Sequence, residues 1–221
     1  MLVSAIIAHF YEVRWPNLPI IARALRSGSH PPHEILIWNN EAQGLPPIDG
    51  VQVIQSHRNV GCMARFVASF VARGEWLLYH DNDMMCGPET VSSLLVWAQQ
   101  LGEVIVSVDG WNFVDEARSY LAGVGTYFTG QQIVEPRRVD VTPGHIELVR
   151  RDVALRILAT FPFVDSPEHD DITWNACAEK LGIPRYVVPS QSAWLSDYGL
   201  GISREPGFNE ARNQLCQELW T

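Results

Sequence analysis

A single α/β domain, built on a mostly parallel sheet flanked by helices, is what this sequence predicts, and two observations carry the prediction. Apolar runs of strand length alternate with stretches of helical length from the N-terminus to about Val108, the pattern of successive βαβ units. The run Glu75-Trp76-Leu77-Leu78-Tyr79-His80-Asp81-Asn82-Asp83 then gives a bulky, unbroken apolar segment of the kind buried on both faces of a parallel sheet. It ends abruptly in two carboxylates one residue apart. No low-complexity stretch divides the 221 residues, so one domain over 1–221 is the simplest arrangement.

The elements follow in order. Leu2 to Ala8 reads as the first strand; it has no basic flank and meets polar His9 and Glu12 at once, so it is not a signal peptide. Pro16 to Ser27 is a helix with a Leu18, Ile21/Ala22, Leu25 stripe, Pro16 suiting its first turn and Gly28 its end. Ile35 to Trp38 and Val51 to Ile54 are strands, and a helix is expected from Cys62 to Ala72. Trp76 to Tyr79 is the fourth strand, Pro88 to Leu101 a helix, and Val104 to Val108 a strand. Beyond Asp109 the regularity fades, and residues 110–147 read as short strands and loops over one end of the sheet. Arg151 to Thr160 is a helix. Ser166-Pro167-Glu168 has the cap, first-turn and dipole chemistry of another helix, running to Leu181. Tyr186 to Val188 is a strand, and the tail carries Asp197 ahead of Gly199-Leu200-Gly201.

Composition narrows the function. Hydrophobic residues are 47% and charged residues 19% of the chain, an ordinary globular balance. A net charge of −9 argues against nucleic acid, whose binding is led by cations at phosphates. The four cysteines are scattered with no CxxC pair, which argues against a structural zinc or a disulfide framework; Cys62 and Cys177 read as buried thiols inside helices. No window approaches the roughly 18 apolar residues of a membrane span. A cytoplasmic location is the default.

Three segments carry candidate chemistry, and parallel strands bring their carboxyl ends to one edge, where ligands of such sheets collect. Asp81 and Asp83 are hard oxygen ligands that suit Mg²⁺ or Mn²⁺ shared with a phosphate; as a plain structural feature they would build a polar turn. The amides of Asn39 and Asn40 either read the edge of a base or form a turn. In Asn59-Val60-Gly61-Cys62-Met63-Ala64-Arg65-Phe66, a glycine at a helix start and Arg65 one turn in can grip an anion, or Arg65 can pair with a carboxylate. In Glu168-His169-Asp170-Asp171-Ile172, helical spacing turns Asp170 and Asp171 towards the protein body, where one could serve as a general base or simply balance the helix dipole.

These segments, in this order and spacing, resemble the nucleotide-diphospho-sugar glycosyltransferases of the GT-A fold, over most of the chain. The strand Val3 to Ala8, Ile35 to Asn40, and Asn59-Val60-Gly61 with Arg65-Phe66 are similar to the family-two pattern and to exostosin-type transferases. Asp81-Asn82-Asp83 resembles their DxD motif, and Asp170-Asp171-Ile172 their late Glu-Asp motif. The resemblance implies a metal-dependent enzyme with Mn²⁺ or Mg²⁺ that moves a hexosyl or N-acetylhexosaminyl group from a nucleotide-sugar donor, UDP-sugar favoured, to a saccharide or other hydroxyl acceptor. Residues 1–108 would hold the donor and 109–221 the acceptor and base. Asn39, Asn40, Asn59, Arg65, Asp81 and Asn82 would contact the nucleotide and Asp81 and Asp83 the metal; Asp171, with Asp170 beside it, would be the base if the enzyme inverts, and would sit beneath the anomeric carbon if it retains. Relatives often add a late histidine to the metal; this chain has none after His169, leaving Asp197 as the substitute, and His145 lies where relatives shape the acceptor site. Two other readings of the same residues are a nucleotidyltransferase and a non-catalytic carbohydrate- or nucleotide-binding module with a degenerate site. The first would require a Gly-rich loop after the opening strand, and Ala8-His9-Phe10-Tyr11-Glu12 lacks one.

Overall fold

The computed structural model describes residues 1–162 and 170–220, and within them lies one α/β domain. Its elements are β1 (Val3–His9), α1 (Asn17–Ser27), β2 (Glu34–Asn39), β3 (Gln52–Gln55), α2 (Ala64–Ala68), β4 (Trp76–His80), β5 (Met84–Cys86), α3 (Thr90–Leu101) and β6 (Ile105–Ser107). There follow β7 (Asp109–Phe113), β8 (Val124–Thr129), β9 (Arg137–Val139), β10 (Ile146–Arg150), α4 (Arg151–Ala159), α5 (Asp170–Lys180), β11 (Arg185–Val187), β12 (Ser192–Trp194) and α6 (Phe208–Leu219). Eight strands form one sheet in the order β3-β2-β1-β4-β10-β6-β11-β9. All run the same way except β10 and β9, which are antiparallel to their neighbours.

Side-chain alternation along β1 and β4 divides the core between two faces. Val3, Ala5, Ile7, Trp76 and Leu78 meet the stripe of α1 and the apolar side of α3. On the other face Ile6, Leu77 and Tyr79 pack with Phe66, α4 and Trp174 of α5. β4 is buried along its whole length, as its unbroken apolar run predicts. A smaller cluster, Trp111, Phe113, Val141, Ile172 and Cys216, fills the space between the β7–β8 hairpin, α5 and α6. All four cysteines are buried and free. Among the described residues no helix is long and apolar enough to cross a membrane.

Several elements differ from expectation. The helix expected over 62–72 is a 3₁₀ turn, Gly61–Met63, followed by only five α-helical residues. It unwinds because Arg73 N donates to Glu34 Oε1 (2.6 Å) and Gly74 N to Ser4 Oγ (2.7 Å), pulling the chain into line with β4 and leaving Phe70 and Val71 exposed. Strand β10, at the centre of the sheet, is not among the expected elements: it starts at the end of a region read as short strands and loops, and Glu147 and Arg150 interrupt its apolar pattern; Glu147 is nevertheless wholly buried. Helix α6 occupies the tail, for which no helix was expected. The expected capping residues Ser166, Pro167 and Glu168 lie outside the described residues.

Phe66 stacks on Trp174 with ring centroids 4.6 Å apart, and Tyr79 meets both rings edge-on at 5.1 and 5.7 Å. This aromatic knot joins α2 and α5 across β4. Phe66→Ala should cost about 3–5 kcal/mol in urea unfolding at unchanged m-value; a cost below about 1 kcal/mol would show that the knot does not support the fold.

Candidate active site

The chain leaves β4 under tight control. Asp81 N donates to His145 O at 2.7 Å, and Leu195 N donates to Asp83 O at 2.6 Å, so both sides of the turn are fixed by backbone bonds. Between the two carboxylates Asn82 turns inward and is buried: Nδ2 donates to Phe10 O (3.2 Å) and Oδ1 accepts from Arg14 Nη1 (3.1 Å). Its side chain therefore anchors the loop after β1. Asp81 and Asp83 keep side-chain exposures of 23% and 13% and face a cavity of about 540 Å³. Asp83 Oδ2 lies 3.0 Å from Arg14 Nη1; burial, and then Asp81, still raise its pKa against the pull of that arginine.

Arg65 is the second anchor. Its guanidinium is buried, bonds the carbonyls of Cys62 (3.3 Å) and Gly144, and pairs with Asp81 Oδ1 at 2.6 Å and Asp170 Oδ2 at 3.3 Å. A Cβ at Gly144, where φ is +76°, would stand 2.7 Å from Arg65 Nη1, so only glycine admits this approach. The anion that Arg65 grips here is carboxylate on both sides of the site.

Of the four asparagines expected at the nucleotide, Asn82 anchors the loop after β1, and the other three bond the loops around them. Asn39 Nδ2 donates to Gln43 O (2.7 Å) and Gln55 Oε1 (2.8 Å). Asn40 bonds Gly61 O (3.0 Å) and Val60 N (3.1 Å), and Asn59 Oδ1 accepts from Gly61 N (2.7 Å). These three shape the turn that leads into Arg65, and none of the three lines the cavity.

On the opposite wall α5 presents Asp170 and Asp171, both buried, as their position on the helix predicts. Asp171 accepts a bidentate pair from Arg212 of α6, Nη1–Oδ1 2.7 Å and Nη2–Oδ2 2.8 Å. Burial alone would raise its pKa, but Arg212 brings it below the usual carboxylate value. For Asp170 burial prevails and raises the pKa, with Arg65 opposing. Two adjacent carboxylates thus have opposite proton affinities, an arrangement often found where one group moves a proton and the other holds charge.

Among the remaining cavity residues the sequence resemblance pointed to His145; Arg14 and Arg212 had no signal of their own. Arg14 lies five residues past the end of the first strand, and its partner Asp83 is far along the chain. Arg212 belongs to a helix that was not expected. His145 lies at the cavity with Nδ1 2.7 Å from Asp109 Oδ2, which also accepts from Tyr127 Oη at 2.6 Å. Burial disfavours the imidazolium, yet Asp109 outweighs it and raises the His145 pKa to about 9. The described lining includes Arg14, Arg65, Arg204 and Arg212 against Asp81, Asp83, Asp170, Asp171 and Asp197, so cations and carboxylates nearly cancel. A diphosphate would bring uncompensated negative charge.

Asp81 and Asp83 have the donor chemistry for a hard divalent cation: each has one oxygen paired with arginine, and both side chains reach the cavity. Asp197 does not join them. Its Oδ2 pairs with Arg204 (2.9 Å) and its Oδ1 accepts from Gly199 N (2.9 Å), and among the described residues no three His, Cys, Asp or Glu side chains group to hold a metal. The two carboxylates fit a cation that takes its remaining ligands from phosphate and water.

No protein-family model matches this chain, and no curated protein matches it. Solved structures do. The structure of GalNAc-T7 with UDP, GalNAc and Mn²⁺ superposes over 93% of this chain and 45% of that one, at 13% identity and a TM-score of 0.69. Residues 1–349 of TarS from S. aureus superpose over 86% of this chain and 59% of that one, at 14% identity and a TM-score of 0.56. This chain therefore has the GT-A fold of glycosyltransferases. It spans about half the length of the structures it matches.

Glu147 lies beneath the site with its Oε2 bonded to Thr142 Oγ1 (2.8 Å), and burial raises its pKa to about 8. Between about pH 4.5, its unfolded value, and about pH 8 the folded protein holds this proton while the unfolded chain has released it. That contribution to stability is complete below the lower value and is lost as pH rises through the upper one. Melting temperature should fall across the window, and Glu147→Gln should flatten the fall. The same slope in the variant would contradict a neutral Glu147.

Proposed function

We propose that this chain is a metal-dependent glycosyltransferase that moves a sugar, of hexosyl or N-acetylhexosaminyl type, from a UDP-sugar to an acceptor hydroxyl. The observation that carries the reading is one cavity at the carboxyl edge of the parallel strands, with Asp81 and Asp83 on one wall and Asp170 and Asp171 on the other, bridged by Arg65. The UDP, GalNAc and Mn²⁺ named with the GalNAc-T7 structure support the donor and the metal. Four buried thiols suit a reducing cytoplasm.

Residues 1–108 hold the donor and residues 109–221 supply the acceptor side and the base. Asp81 and Asp83 would hold Mn²⁺ or Mg²⁺, which supplies Lewis-acid charge for the leaving diphosphate when bound. Arg14 keeps Asp83 in place and Arg65 fixes Asp81 relative to Asp170, so the two walls are set before substrates arrive. Asp170, the more basic of the pair, takes the acceptor hydroxyl proton as that oxygen bonds to the anomeric carbon and the diphosphate departs. Asp171 stays ionised against Arg212 and holds α5 to α6. This moves the base from Asp171, where the sequence resemblance puts it, to its neighbour. The segment that brings Asp197, Leu200 and Gly201 to the cavity would close over the donor and limit hydrolysis.

Calorimetry with UDP and Mn²⁺ tests the first wall: Asp83→Ala should weaken binding at least about tenfold, near 1.4 kcal/mol, and chelator should do the same to the wild type. Undiminished UDP binding in Asp83→Ala would remove this metal assignment. For the second wall, Asp170→Asn should keep UDP binding and lose transfer by about 10²-fold or more. Normal transfer by Asp170→Asn, with loss confined to Asp171→Asn, would return the base to Asp171.

A further inference from the structure

Trp194 ends β12 with 62% of its surface exposed, an expensive place to leave so large an apolar side chain. It is not on a loose loop. β12 pairs antiparallel with β5, placing Trp194 opposite Met84, the residue after Asp83, and Leu195 N bonds Asp83 O. The indole is thereby indexed to the Asp81-Asn82-Asp83 turn by backbone on both sides.

A chain of side chains braces the ring itself. His145 meets Trp194 edge-on, with centroids 4.9 Å apart and planes at 74°. His145 is fixed by Asp109, and Asp109 by Tyr127. Asp109 is only 4% exposed, and its other oxygen is buried with no hydrogen-bond partner among the described residues, so this carboxylate is committed to holding His145 and Tyr127. The β7–β8 hairpin thus reaches through three polar side chains to steady one exposed indole beside the cavity, which both Trp194 and His145 line.

We propose that Trp194 is a stacking platform for a pyranose ring of a saccharide acceptor, a specificity-determining contact that rests on the transferase reading above. A pyranose offers one face of C–H groups to an aromatic ring and a rim of hydroxyls to polar neighbours; a rigid indole beside a histidine provides both surfaces. The exposure of Trp194 selects the acceptor over the donor. The donor's diphosphate is drawn inward to Asp81 and Asp83, while an acceptor arrives from solvent and meets the rim first.

The experiment is an array of immobilised oligosaccharides probed with wild type, Trp194→Ala and Trp194→Tyr, each saturated with UDP and Mn²⁺, alongside UDP calorimetry of all three. Wild type should bind a subset of glycans, Trp194→Ala should lose at least about tenfold of that binding, and Trp194→Tyr should keep most of it, with UDP affinity within about twofold throughout. Glycan binding by Trp194→Ala equal to wild type, or none by wild type, overturns the platform. Loss of UDP and glycan binding together in Trp194→Ala places the ring on the donor side and also overturns it. Glycan binding that needs Trp194 in a protein that binds no UDP would sink the transferase reading and leave the platform standing.

Discussion

One buried guanidinium, that of Arg65, sets the geometry on which the rest of the site depends. It touches the end of β4 through Asp81, α5 through Asp170, the entry to β10 through Gly144 O and its own turn through Cys62 O. Few side chains could do this: guanidinium has five N–H donors in a rigid fork and stays charged when buried, whereas an ammonium has neither property to the same degree. Removing one partner of such an ion pair leaves an uncompensated buried charge, at about 3–5 kcal/mol. Fold stability and site geometry are therefore coupled, since the group that neutralises the two carboxylates also fixes their separation.

The same economy of charge explains the C-terminal helix. α6 buries little beyond Arg212 and Cys216, yet Arg212 decides which of the adjacent aspartates on α5 stays ionised. Without it both carboxylates would face desolvation with only Arg65 between them. The tail thus sets the electrostatics of residues some forty positions earlier, and an alteration of α6 reaches the chemistry without touching any reacting atom.

How much of this was legible in the sequence depended on whether the signal was local. β1, β2 and β4 were readable because a strand buried on both faces is a nearly continuous apolar run, and the stripe of α1 because its period is that of a helix. The aspartates at the end of β4 were readable as a site because topology alone puts them at a sheet edge. β10 was hidden by Glu147, an acid in the centre of the sheet whose burial raises its pKa to about 8 and whose Oε2 accepts from Thr142. Asn39 and Asn40 were legible as turn-formers and as base-readers alike; in the structure they bond the flanking loops. Arg14, Arg212 and the Asp109–His145 pair take their meaning from partners 36 to 69 residues away, a distance no local pattern encodes.

A crystal structure with UDP and Mn²⁺, with the manganese located by its anomalous scattering, tests the central claim most directly. The account predicts manganese at Asp81 and Asp83, the diphosphate in the same cavity, and Arg65 still joining Asp81 to Asp170. Manganese or nucleotide bound away from Asp81 and Asp83, in crystals where Arg65 is undisturbed, would contradict it.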